Sequence, residues 1–261
     1  MQAWERIEIQ APVGWSDVEI AGHAGELFIP SHRHPHGLAA IYLHGVHLQR
    51  LADQQQFTAE LDRQGLTVIA PRTARSWWTD RICPEFDSQR TAERYLVVDV
   101  LAWAQEHLHV APPQLALFGT SMGGQGALRI AYKYPQLFPV VAAISPAIDF
   151  QIGYYDDDST VPTMYADPEA ARQDTATLHI HPLNYPRHQF FCCDPADARW
   201  WDSSDRLHMK LYSLGVPHEF DLETTGGGHG FAYYNRQAER TLKFLVDRLE
   251  QERRRLPSSG S

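Results

Sequence analysis

Cysteine is scarce in this chain: three residues, Cys83, Cys192 and Cys193, among 261. An odd count in which two are neighbours makes no disulfide framework, because adjacent cysteines rarely bridge each other. A reducing, cytoplasmic setting is the expectation. Long apolar runs are missing too, and none approaches the roughly 20 residues that a membrane helix needs. Residues 1–6 have neither the basic nor the apolar region of a secretory signal. Positive charge is in short supply: 23 Lys and Arg against 32 Asp and Glu leave a net charge of −9. That balance argues against nucleic acid or an anionic membrane as partner. A metal-ligand pattern is absent as well. His32, His34 and His36 alternate in a polar loop, but no Cys, Asp or Glu stands at a matching ligand spacing. No metal and no cofactor is expected. Homo-oligomerisation stays open.

Hydrophobic residues make up 43% and charged residues 21%, which is ordinary globular usage and enough for a sizeable core. The pattern along the chain predicts an α/β architecture. Ile7/Ile9, Val18/Ile20 and Leu27/Ile29 alternate with polar residues and read as three short antiparallel strands. Near-continuous apolar runs at Leu38 to Leu43, Leu66 to Ala70, Leu115 to Phe118, Val140 to Ile144 and Gln189 to Cys193 suit parallel strands buried on both faces. Glu219 to Leu222 reads as a last strand. Helices are expected at Ala52 to Gln64, from Thr91 to Leu108 with Thr91 as its cap, after Ser121, at Ser203 to Leu214, and at the end of the chain. Strands alternating with helices demand a mostly parallel sheet wrapped on both faces. Residues 1–256 read as one domain, 149–186 as a small cap or insertion with a helix over Ala166 to Thr175, and 257–261 as a disordered tail.

The chemistry centres on Gly119-Thr120-Ser121-Met122-Gly123, a G-x-S-x-G between a strand and a helix. A serine on so tight a turn is strained, and small residues two positions away avoid collision with the backbone. Serine needs a base, and the base needs an orienting acid. His229, late in the chain and in the glycine-rich run Gly226-Gly227-Gly228-His229-Gly230, is the candidate base. Asp197 is the favoured acid, one turn beyond the strand ending at Cys193. Asp194 is the alternative, Asp149 a third choice, and Asp202 reads as a helix cap. Two backbone donors for an oxyanion are expected from the amides of Met122 and Val46. Trp77 and Trp78 either wall a substrate pocket or pack under their loop. His44 either contacts substrate or supports the Gly45-Val46 turn.

Phe118 to Ala127, Ala131, and Tyr134-Pro135-Gln136-Leu137-Phe138 resemble the nucleophile region of esterase D-type α/β-hydrolases. Those include S-formylglutathione hydrolases, feruloyl-type esterases and mycolyltransferases. The likeness extends to Tyr42-Leu43-His44-Gly45, to Leu207-His208 through Leu211 with Gly215-Val216-Pro217-His218, and to Gly227-Gly228-His229. The resemblance implies an α/β-hydrolase fold, with Ser121, Asp197 and His229 as nucleophile, acid and base. Asp194 stands where that family often has a glycine. A serine esterase acting on a small or polymeric ester is the implied function. An acyltransferase or thioesterase with the same residues is the alternative, and a non-catalytic binding protein a more distant one.

Overall fold

The computed structural model describes residues 13–255, so the Ile7/Ile9 strand and the 257–261 tail lie outside the described residues. Eight strands form one sheet in the order β1-β2-β4-β3-β5-β6-β7-β8. The strands β1 (Gly14–Ile20) and β2 (His23–Ile29) make an antiparallel hairpin, and β2 also runs antiparallel to β4 (Thr67–Pro71). All other pairs are parallel: β3 (Ala39–Leu43), β5 (Leu115–Thr120), β6 (Val140–Ile144), β7 (His188–Cys192) and β8 (Glu219–Asp221). Every residue of β3, β4, β5 and β6 is buried. That explains their continuous apolar runs, since both faces are covered and no solvent side needs a polar residue.

The covering helices are α1 (Gln55–Gln64), α2 (Ala92–Arg94), α3 (Leu101–Leu108), α4 (Met122–Lys133), α5 (Val161–Met164), α6 (Pro168–Arg172), α7 (Trp201–Ser213) and α8 (Phe231–Arg255). Among the described residues, no helix is long and apolar enough to cross a membrane. The expected helix from Thr91 begins as predicted, its side chain accepting from the Arg94 amide at 3.2 Å. Residues Tyr95–Val100 then wind as a π-helix before α3. The wider turn lets Tyr95, Leu96, Val100 and Leu101 all face the core. The helix expected at Ala52 starts later, after a 3₁₀ turn over Leu51–Asp53. The helix expected over Ala166 to Thr175 is only Pro168–Arg172. Asp167 caps it by accepting from the Ala170 amide at 2.7 Å.

Parallel strands place all their carboxyl ends along one edge, where sites collect in open α/β sheets. Here β3 leads to His44-Gly45-Val46, β4 to the Trp77 loop, and β5 to Ser121. The 149–186 segment follows β6, Asp194 and Asp197 follow β7, and His229 follows β8. Cys83, Cys192 and Cys193 are all buried free thiols.

Candidate active site

Ser121 sits between β5 and α4 with φ 54° and ψ −119°, a sparsely populated positive-φ conformation costing roughly 1–3 kcal/mol for a residue with a Cβ. The neighbouring glycines make that turn sterically possible. A Cβ on Gly123 would lie 1.8 Å from the Leu43 carbonyl oxygen, and one on Gly119 would lie 2.3 Å from the Gly123 oxygen. The turn is also pinned from the sheet: the Ser121 amide donates to the Ile144 oxygen at 3.0 Å, and its own carbonyl accepts from Gln125 and Ala147.

The serine hydroxyl lies 2.8 Å from His229 Nε2, and His229 Nδ1 lies 2.6 Å from Asp197 Oδ2. Asp197 is almost fully buried, and two further donors orient its carboxylate. The Trp200 amide donates to Oδ1 at 3.2 Å and the Cys193 thiol approaches Oδ2 at 3.7 Å. Burial pushes that thiol far above its ordinary range, so it stays a donor. Tyr234, from the first turn of α8, meets the His229 ring edge-on with centroids 5.6 Å apart.

Asp194 does a different job. Its Oδ1 accepts from the Ala196 amide at 2.8 Å, and its Oδ2 accepts from the amides of Gly226 and Gly228 at 2.7 Å each. Burial opposes the charge, but those amides outweigh it and hold the carboxyl below its usual range. Asp194 therefore clamps the glycine loop that carries His229, while Asp197 meets the imidazole. Asp149 pairs instead with Arg206.

Met122 opens α4, so its amide belongs to the first turn, where helix N–H groups have no partner within the helix. Val46 lines the same cavity as Ser121. His44 does not line that cavity. The Thr73 amide donates to its Nε2 at 3.1 Å, which leaves the proton on Nδ1 facing the Gly45 oxygen at 3.0 Å. Burial lowers its pKa to about 4, so the ring is a neutral strut for the turn. The expected substrate contact for His44 is corrected accordingly.

The tryptophan pair divides. Trp77 lines a cavity of about 400 Å³ above Ser121, together with Val46, Trp200 and His229. Trp78 is fully buried and does not reach the cavity. Its indole donates to the His44 oxygen at 3.1 Å, and its Cβ lies against Gly126. Both residues have positive φ, 56° and 55°. Sequence reading missed Trp200 and the two arginines at the rim, Arg75 and Arg199. Arg199 pairs with Asp156 and stacks over Trp200 at 5.1 Å. Arg75 donates to the Asp158 oxygen at 2.7 Å. Arg199 and Trp200 stand two and three residues after Asp197, a closeness that was a usable signal; Arg75 had none.

His34 and His36 lie 3.7 and 3.9 Å from Glu250. Among the described residues no group of three or more His, Cys, Asp or Glu could hold a metal ion.

A mostly parallel sheet with a strained serine at a strand-to-helix turn defines an α/β-hydrolase fold. The chain belongs to the esterase family: the family model described as "Putative esterase" matches residues 26–237. Diacylglycerol acyltransferase/mycolyltransferase Ag85A of Mycobacterium tuberculosis is 31% identical over 93 residues. The match spans 34% of this chain and 28% of that protein, so the chain spans under a third of this curated relative. Among solved structures, an S-formylglutathione hydrolase from Agrobacterium tumefaciens superposes with TM-score 0.71 at 17% identity, covering 94% of this chain and 99% of that one. A ferulic acid esterase superposes with TM-score 0.71 at 16% identity, covering 90% and 99%. These structures share the fold.

Proposed function

We propose that this protein hydrolyses carboxylic esters through an acyl-enzyme on Ser121. The observation that carries the reading is the continuous relay from Ser121 through His229 to Asp197 at 2.8 and 2.6 Å. His229 Nε2 takes the hydroxyl proton as Oγ attacks the ester carbonyl. The negative charge on the carbonyl oxygen is held by the amides of Met122 and Val46, the first reinforced by the N-terminal end of α4. As the tetrahedral intermediate collapses, the C–O bond to the alcohol breaks and His229 returns its proton to the leaving oxygen. Water then adds to the acyl carbon, losing its proton to His229, and Ser121 leaves with that proton as the acid departs. Asp197 stays ionised throughout and stabilises the imidazolium. Trp77, Trp200 and Val46 supply the apolar wall for the substrate.

The test pairs a p-nitrophenyl ester with a fluorophosphonate probe. Wild type should turn over the ester and be labelled at one serine. Ser121→Ala should lose labelling and about 10⁶-fold in kcat. A wild type that does neither, or an Ser121→Ala protein with full activity, overturns the reading.

A second reading is favoured by the 31% identity to an acyltransferase. In it the same acyl-enzyme yields to an alcohol rather than to water. Adding glycerol as an acceptor alcohol and measuring transester product against free acid separates the two outcomes.

A further inference from the structure

The face of α4 that follows Ser121 at helical spacing carries Gln125 and then Arg129, one turn apart. Neither contacts the reacting atoms in any hydrogen bond of the structure, yet both are buried. Gln125 sends one end of its amide to the Trp77 loop and the other to the 149–186 segment. Its Nε2 donates to the Trp77 oxygen at 3.4 Å, and its Oε1 accepts from the Ala176 amide at 3.0 Å. A carbonyl on one side and an N–H on the other leave only one orientation of the amide. Trp77 needs such a hold, because its backbone is left-handed and its ring stacks on Phe150 of the 149–186 segment at 5.1 Å. Phe150 in turn packs on Tyr165 at 5.8 Å. The position of the Trp77 ring is therefore set jointly by its own loop and by that segment, and Gln125 ties the two to the helix that starts at the serine.

We infer that Gln125 is a positioning residue that fixes the separation of Trp77 from the 149–186 segment and thereby sets which acyl groups the cavity admits. The inference rests on the esterase reading above. A small acyl group has little surface to set against the Trp77 wall and is less sensitive to its position. A bulky one must fit against Trp77, and a wall free to shift no longer presents one fixed shape.

The experiment compares p-nitrophenyl benzoate with p-nitrophenyl acetate in wild type, Gln125→Met and Gln125→Glu, reading kcat and KM separately. Methionine keeps the volume and loses both hydrogen bonds. Glutamic acid keeps both while protonated, but its carboxylate has no proton for Trp77. The benzoate-to-acetate KM ratio should rise about fivefold or more in Gln125→Met, the scale of one buried hydrogen bond, with kcat for acetate within about twofold of wild type. In Gln125→Glu the same ratio should climb with pH while staying flat in wild type and in Gln125→Met. The neighbouring titratable groups Arg129, Asp174, His179 and Tyr165 are common to all three proteins, so that comparison cancels them. A ratio unchanged in Gln125→Met, or raised equally and without pH dependence in both variants, overturns the inference. Fluorophosphonate labelling of Ser121 runs alongside. Wild type that is neither labelled nor active fails the esterase reading itself, whereas labelled, active proteins with an unaltered ratio fail only the role of Gln125.

Discussion

Two aspartates three residues apart carry opposite tasks, and their partners tell them apart. Asp197 faces an imidazole, a thiol and one backbone amide; Asp194 faces three backbone amides and no imidazole. Asp197→Asn should therefore lower kcat by about 10⁴-fold, the scale set by the serine-protease precedent of removing the acid's charge, with little change in stability. Asp194→Asn should instead destabilise by about 1–3 kcal/mol, the range for disturbing a buried hydrogen-bonded acceptor, with a smaller effect on turnover. The sign of the pH dependence follows from the lowered carboxyl. Its contribution is complete above the unfolded value of about 3.9 and is lost as pH falls through the folded one. In urea titrations the gap between wild type and Asp194→Asn should hold from pH 5 to 8 by this argument and begin to narrow only below about pH 4. Equal kcat losses in the two variants would count against this division of labour. The choice between these aspartates stayed open from sequence because both leave β7 within one turn. Only the return of the 226–228 loop, brought by β8 from over 30 residues away, gives Asp194 its amides.

At the scale of the element, α4 is held against the Trp78 loop by an absent side chain. A Cβ on Gly126 would lie 2.4 Å from Trp78 Cβ and 2.8 Å from its Cγ. Two effects then oppose each other in Gly126→Ala. Helix propensity favours alanine by about 0.8–1 kcal/mol, while overpacking a full core costs about 1–3 kcal/mol. Trp78 is fully buried and bonded to the His44 oxygen, so it cannot swing away cheaply. Packing should win: the urea midpoint of Gly126→Ala should fall, and ester turnover should fall with it as the His44-Gly45-Val46 turn shifts. A raised midpoint would show that the loop yields. The elements around this contact were legible to different degrees. The β5–Ser121–α4 unit was readable because strand burial, glycine spacing and helix start are local. The π turn at Tyr95–Val100 was not, since an extra residue in a turn leaves an apolar stripe that still passes for α-helix. Trp78 could not be told from Trp77 because adjacent residues with the same unusual φ point into different surroundings.

The whole molecule is fastened by charges that lie inside it. Arg129 of α4, about 1% exposed, pairs with Glu93 of α2 and with Asp174 of the 149–186 segment. Lys133 and Tyr134 also reach Glu93, and Tyr165 and His179 reach Asp174. Two regions distant in sequence thus meet on the helix that follows Ser121, and the Gln125 contact to Ala176 lies one turn nearer the serine. Nothing in the sequence marked this arrangement, because an arginine on a helix is ordinarily solvated and its partners lie 36 and 45 residues away. The energetics make it testable. A buried ion pair need not stabilise relative to an apolar substitute, but removing one partner strands the other, at about 3–5 kcal/mol. Arg129→Met leaves Glu93 buried with Lys133 as its remaining cation, and Asp174 with His179. It should lower the unfolding free energy by about 3 kcal/mol, read by equilibrium urea denaturation. The double variant Arg129→Met with Glu93→Gln should recover part of that loss, because the stranded charge is gone. If the double variant is instead the sum of two independent losses, the buried charge is not what Arg129 serves, and its hydrogen bonds to Asp174 alone account for the tie.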